Sequence, residues 1–419
     1  MTYEDNRKKI DIRHLKLPSL WEFSIFLMLM YAFFFQYAVM TINSAMLVLN
    51  AICILFGVAH LLNGAYIREK TCYSWIIAFV FVSVLLSFAF GVSISISVDT
   101  GIRMIEYCLT GLSIFLFEIS KKKRFRKVLF ITWLSIVLLA LNVLLHGTIV
   151  DYLGAIGLGS LNTNEMSSFF VLMVFCAFYL YGETDNKIQK LIIWLSLLLV
   201  FIIQIQSASR RGFIVMVFMI VSNIIWGIIP YSNHNNSKRR LVAYSLIIIA
   251  GAIAFVKLRN YILNSTILGE RLGGAMTGGD AARAKYHAFA FEQFKKHPIF
   301  GIGVGGITYL QGVYSHSLFY ETISCTGIIG AVLMAVSFLK PIKELLSRLM
   351  KDRCEAFSNN RELYLNKVIL IYLFGLLASG FAVVMIYDFY FYLSLAFIAT
   401  AIVLNKTRIQ NDLTRGDAI

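Results

Sequence analysis

The chain has 419 residues and a net charge of +15, with 58% hydrophobic and only 15% charged residues. A soluble domain normally carries about 25% charge, so there is too little polar surface here to wrap a water-soluble globule of this size. Lipid must be the solvent for much of the chain, and nucleic-acid binding is not needed to explain the basic balance.

In chain order, a polar and basic stretch at 1–18 precedes the first apolar run, so a secretory signal peptide is not expected and the segment reads as a cytoplasmic N-terminal segment. Apolar runs able to cross the hydrocarbon core as helices follow at 19–38, 44–62, 73–92, 100–119, 128–146, 165–182, 191–206, 212–229 and 241–256. A long polar interval at 257–315 separates these nine from three more, at 316–339, 367–386 and 389–405, and 406–419 forms a cytoplasmic tail. The expected fold class is therefore all-α, a polytopic transmembrane bundle of about twelve helices with a large extracytoplasmic loop. Asp388 is assigned to a turn between the last two runs, because a carboxylate in mid-bilayer is costly, and Asp151 is read as a turn residue too. Pro18, Pro230, Pro298 and Pro341 lie at or beyond the ends of apolar runs, so no spanning helix is expected to contain proline. The six cysteines are scattered without a CxxC pair, which gives no sign of a disulfide framework or a structural metal.

With the N-terminus inside, 28 of the 38 lysines and arginines fall on the inner side, including the run Lys121-Lys122-Lys123-Arg124-Phe125-Arg126-Lys127. That asymmetry is the positive-inside signature and accounts for most of the net charge. The 257–315 loop carries its own helix signal, short and amphipathic. Gly279-Asp280 supplies the N-cap, 281–296 lacks breakers, Lys295 and Lys296 suit the C-terminal dipole, and His297-Pro298 stops it. A loop of about sixty residues in an otherwise economical bundle is usually functional.

Charged residues at the outer ends are few. Ser207-Ala208-Ser209-Arg210-Arg211-Gly212 places two arginines where the positive-inside rule least wants them. Snorkelling anchors are one reading and phosphate binding the other, since planar guanidinium donors hold two oxygens at once. Arg283 lies on the loop helix with His287 one turn later. Gly301-Ile302-Gly303-Val304-Gly305-Gly306 lacks the strand a dinucleotide loop requires; its glycines let the chain turn back to the bilayer or let backbone amides approach an anion. His316 opens an apolar run, and an imidazole at a helix N-terminus stays neutral, able to cap or to accept a proton. Glu165 and Glu321 are outer-end carboxylates that could pair with the arginines, orient His316 or satisfy one another.

These segments carry a resemblance. The chain resembles the bacterial O-antigen polymerase and ligase family, the Wzy-type polymerases and their ligase relatives. Ser207 to Ile214 looks like the family's Ser-Arg-x-Gly stretch, and Arg283 followed by Pro298-Ile299-Phe300-Gly301-Ile302-Gly303 is similar to its loop helix and Pro-x-x-Gly-x-Gly signature. Ser315-His316-Ser317 with Gly327 resembles the motif that begins the next helix, and Asn162-Thr163-Asn164-Glu165 stands where the family often has Asn-Pro-Asn. Thr163 replaces that proline, His287 stands where a Trp is frequent, and the doubled arginine leaves open whether Arg210 or Arg211 is the match.

The resemblance implies a metal-independent glycosyltransferase without cofactors on the outer face of the bacterial cytoplasmic membrane. It would polymerise oligosaccharide units linked to undecaprenyl pyrophosphate into O-antigen or capsule. Arg210 or Arg211, with Arg283, would hold the pyrophosphate, His316 would take the acceptor proton, and apolar helix faces would hold the polyprenyl tail. Glu165, Glu321, His287 and Asn164 would support them. Implied partners are the lipid-linked oligosaccharide, membrane lipids, a chain-length regulator and a flippase. An O-antigen ligase is the alternative within the family. A secondary transporter or flippase is the alternative outside it, disfavoured by helices without proline and by charges gathered at outer ends.

Overall fold

Backbone polar groups in hydrocarbon must be satisfied within the protein, and this chain does so with helices. The computed structural model describes residues 19–38, 43–63, 71–119, 122–149, 156–157, 161–228, 266, 268–269, 281–354 and 360–414. The N-terminal segment 1–18, the run at 241–256, Asp151 and the Gly279-Asp280 cap lie outside them.

The helices in order are α1 (Leu20–Ala38, with a π-helical turn at Tyr31–Phe35), α2 (Asn43–Leu62), α3 (Cys72–Phe90), α4 (Ile94–Ile119) and α5 (Lys122–His146). Then come α6 (Thr163–Glu183), α7 (Lys187–Gln206), α8 (Arg210–Ile228), the loop helix α9 (Ala281–Lys296), α10 (Gly306–Gln311), α11 (Leu318–Cys354), α12 (Asn360–Gly380) and α13 (Phe389–Thr414). A two-residue antiparallel pair, Thr148–Ile149 with Ile156–Gly157, is the one small sheet among the described residues. Eight of the described helices are long and apolar enough to cross a membrane, and Phe389–Asn405 adds a shorter apolar stretch. The protein is therefore a helical, membrane-embedded one. The amphipathic α4 falls outside the eight because Asp99, Arg103, Glu106 and Glu118 interrupt it.

α6 lies at the centre, with Phe169 to Leu180 buried without interruption. Phe175 stacks on Tyr372 of α12 at 4.4 Å, and Tyr179 meets Phe125 of α5 edge-on. Leu55, Leu85 and Leu195 face outward, as lipid-facing side chains do. Lipid is as apolar as leucine, so polar bonds between helices add specificity: Trp133 Nε1 donates to Ser196 Oγ (3.1 Å) and Thr400 Oγ1 to Glu118 (2.7 Å).

Two expectations are corrected. α12 ends at Gly380, short of the predicted 386, and 381–388 folds into turns in which Phe381 N donates to the Ala378 carbonyl and Asp388 N to Met385. α11 continues past 339 and contains Pro341, because the stretch beyond it packs on α13: Leu345 is buried and Arg348 Nη1 donates to the Ile402 carbonyl (3.1 Å).

α11 is also broken. Gly327 sits at φ 60°, ψ −163°, a region essentially confined to glycine. The break would strand the Ser324 and Cys325 carbonyls, but Ile302 N and Gly303 N of the glycine loop donate to them (3.0 and 2.9 Å), while Ile328 N donates to the Pro298 carbonyl (2.9 Å). Val304 N is taken by Ser87 Oγ (2.8 Å) and Gly305 N by the Tyr387 hydroxyl (3.1 Å). The loop amides serve the helix break and its neighbours, so the anion-cradle reading of the glycines does not hold.

Candidate functional site

The N-terminal ends of α6, α8, α11 and α13 converge at one end of the bundle. Asn162 caps α6 by accepting from Asn164 N (2.9 Å), which exposes Asn164 to its neighbour α8. Both oxygens of Asn164 are used: its side chain accepts from Ser209 Oγ (3.0 Å), its carbonyl from Arg211 Nη2. Gln204 Nε2 joins the same ends, donating to Ser167 Oγ (3.0 Å) and the Ser209 carbonyl (3.1 Å). Gly212 permits this approach, since a Cβ there would lie 2.3 Å from Ser167 Cβ.

The two adjacent arginines differ in helix phase and in burial. Arg211 is 9% exposed and points into the bundle, where Nη2 also donates to Ser168 Oγ (2.9 Å). Its Nε and Nη1 are buried without a hydrogen-bond partner of good geometry, the Tyr390 hydroxyl lying close by. A guanidinium held by two such bonds keeps donors with which an anion could be bound. Arg210 is half-buried, one residue round the helix. Arg283, half-buried on α9, is close enough for its charge to act on both Arg211 and His316.

His316 adopts φ 59°, unusual for a residue with a Cβ, two residues before α11 begins. Its ring lies against Tyr314 (4.6 Å) and Tyr286 (5.4 Å). Partial burial pushes its pKa below the usual imidazole value, and the charges of Arg283 and His287 push the same way, so the ring is neutral near pH 7. His287 stacks on Tyr320 at 4.6 Å. Glu321 is fully buried and accepts from Ser315 N (2.9 Å) and the Tyr387 hydroxyl (3.1 Å). It pins the residue before His316 rather than the imidazole itself. Glu165 accepts from the Tyr37 hydroxyl (2.7 Å).

Beside this cluster is a cavity of about 430 Å³ whose walls include Glu165, Asp388, Tyr37, Tyr107, Arg103 and Glu106. Asp388 does make the expected turn, yet it also lines this cavity, half-buried, which the turn assignment missed. Burial, aided by the Glu165 charge and opposed by Arg211, raises its pKa to about 8. Tyr390, also on the cavity wall, has a buried hydroxyl without a hydrogen-bond partner of good geometry. Glu106 accepts from Asn50 Nδ2 (2.7 Å). The one sequence signal for this cavity was charge on α4, where Arg103 and Glu106 interrupt an apolar run. Among the described residues, no group of three or more His, Cys, Asp or Glu side chains is placed to hold a metal ion.

Fold and site together define a membrane-embedded helical protein with a cationic and aromatic cluster beside a polar cavity at one end of its bundle. No protein-family model matches the chain, and no curated protein sequence does. A solved chain similar to it comes from work on the structural coordination of polymerization and crosslinking by a peptidoglycan synthase complex. The two share 13% identity at a TM-score of 0.48, over 81% of this chain and 98% of the other.

Proposed function

We propose that the protein is a glycosyltransferase of the cytoplasmic membrane that polymerises undecaprenyl-pyrophosphate-linked oligosaccharides on the outer face. The observation that carries this reading is the buried Arg211, with two unused guanidinium donors, held near Arg283 and a neutral His316. Arg211 and Arg283 bind the pyrophosphate of the donor. The acceptor hydroxyl oxygen attacks the anomeric carbon as the bond to the pyrophosphate oxygen breaks. The leaving electron pair is stabilised by the guanidinium groups, and the hydroxyl proton passes to the imidazole of His316. Tyrosines and carboxylates of the neighbouring cavity suit the hydroxyls and ring faces of a sugar acceptor. In this reading both termini are cytoplasmic, 257–315 lies outside, and 19–256 and 316–405 form the spanning helices.

The test is elongation by the purified protein, in detergent, of lipid-linked oligosaccharides extracted from a producing strain lacking it, without nucleotide sugar or metal. A ladder of longer products is expected; unchanged substrate with folded protein would overturn the reading. The broken helix α11 favours a second reading as a transporter, since such breaks line transport sites. Elongation in detergent, with no compartments to transport between, separates the two.

A further inference from the structure

At the opposite end of the bundle, a second cavity of about 420 Å³ lies between the end of α6, the start of α7, the last turns of α8 and the start of α12. Its wall combines the cations Lys190 and Arg361 with Asp185, the aromatics Tyr181 and Trp194, and Asn223. Lys190 Nζ sits over the Tyr181 ring at 4.9 Å. Arg361 Nε donates to the Gly182 carbonyl (2.7 Å), which fixes its guanidinium at the cavity, and Nη2 lies 3.4 Å from Asp185. The Asp185 side chain is 92% exposed, so water screens it and the wall stays net cationic. Lys367, donating to the Trp226 carbonyl (3.4 Å), adds positive charge nearby.

Two further observations say what kind of anion fits. Ile188, Leu191, Leu195 and Leu198 are all exposed and recur at helical spacing along α7, and Ile225 and Trp226 are exposed on α8. The cavity is thus flanked by surfaces made for acyl chains. Asn223 is only 4% exposed; its Nδ2 donates to the Met219 carbonyl (2.8 Å), which fixes the amide orientation, and its Oδ1 is left without a partner. An occupant that completes this wall brings a hydroxyl donor as well as a negative charge.

We propose that this cavity binds the headgroup of an anionic phospholipid with a free headgroup hydroxyl, of the phosphatidylglycerol kind. The phosphate sits against Lys190 and Arg361, the headgroup hydroxyl donates to Asn223 Oδ1, and the acyl chains run along α7 and α8. A basic pocket between helix ends is the expected setting for such recognition. The site lies away from Arg211 and His316, and it stands whatever reaction those residues perform.

Native mass spectrometry of the full-length, delipidated protein tests this with phosphatidylglycerol, phosphatidic acid, phosphatidylethanolamine, phosphatidylcholine and inorganic phosphate as probes. Phosphatidylglycerol should bind about tenfold tighter than the two zwitterionic lipids. Millimolar inorganic phosphate should not displace it, because a free anion gains nothing from the apolar flanks. Lys190→Gln should weaken phosphatidylglycerol several-fold and leave phosphatidylcholine unchanged, and Asn223→Leu should erase the preference for phosphatidylglycerol over phosphatidic acid. Thermal unfolding of each variant without added lipid confirms that it is folded. Equal affinity for phosphatidylglycerol and phosphatidylcholine, or no effect of Lys190→Gln, overturns the site. Displacement by phosphate overturns the lipid in favour of a plain anion, and equal binding of phosphatidic acid by the native protein overturns the hydroxyl assignment.

Discussion

The Nη2 atom of Arg211 donates to the backbone carbonyl of Asn164, tying the first turn of α8 to the first turn of α6. Two segments 47 residues apart in sequence thereby become one surface, and the guanidinium is aimed by a bond that does not consume its other donors.

Arg211→Lys keeps the charge but loses the fork. Polymer formation should fall by two to three orders of magnitude, consistent with about 2.7–4 kcal/mol for one preorganised donor. Arg283→Lys should act similarly, and Arg210→Lys more mildly because Arg210 is less buried than Arg211. Product ladders normalised to folded protein decide the matter; wild-type yields from Arg211→Lys and Arg283→Lys would reduce both to anchors.

His316→Gln retains size and some hydrogen bonding but cannot take a proton, so turnover should drop roughly a hundred- to ten-thousand-fold with donor binding kept. In the native protein, activity should rise with pH as the imidazole loses its proton, with its midpoint below the ordinary histidine value of 6.5, because the pKa is lowered. A midpoint at or above 6.5, or an active Gln variant, would move the role elsewhere.

Asp388 titrates at about 8, against 3.8 for an unperturbed carboxyl. Between these values the native state keeps a proton that the unfolded chain has released. Stability is therefore greatest at the acid end, declines as pH rises through this window, and levels off above it. The Tm of the purified protein should fall across the window, and Asp388→Asn should flatten that slope. An Asn variant with the native slope would show that other groups cause it.

Gly327→Ala places a Cβ 2.2 Å from the Ile299 carbonyl oxygen, at a backbone conformation alanine avoids. A loss of about 1–3 kcal/mol is expected from the strain alone. It should appear as a lower Tm and less monodisperse protein, and native behaviour would mean that the break tolerates a side chain.

Single cysteines at Lys285 and Asp185, in a cysteine-free background, report the orientation. An impermeant maleimide should label position 285 but not 185 in intact spheroplasts. The reverse pattern would invert the membrane assignment.

Much of this was legible in the sequence because lipid makes a simple demand, a run of about twenty apolar residues per crossing. That rule fails where apolarity continues through a turn: Phe381 to Ile386 read as helix, yet the chain leaves α12 at Gly380. It fails again at α4, whose first turn carries too little apolar signal to be seen. The arginine pair stood out as charges in the wrong place, Arg283 by its loop helix and His316 by its place at a helix start. Which arginine faces inward depends on where α8 begins its helical phase, and that requires Ser209 and Asn164 to be seen together. Asp388 had a local explanation as a turn, and nothing in sequence order brings it to Glu165. The fit of the glycine loop to Gly327 joins positions that one-dimensional spacing does not pair.

That fit bears on how the protein is made. Ile302 and Gly303 supply the donors, and Pro298 the acceptor, that close the gap in α11, and they leave the ribosome before Leu318–Cys354 does. A segment with stranded carbonyls is a poor candidate for stable residence in hydrocarbon until they are met. The first turns of α11 should therefore settle only once the preceding loop has docked on them. The last three described helices are assembled around a lock whose key is synthesised first.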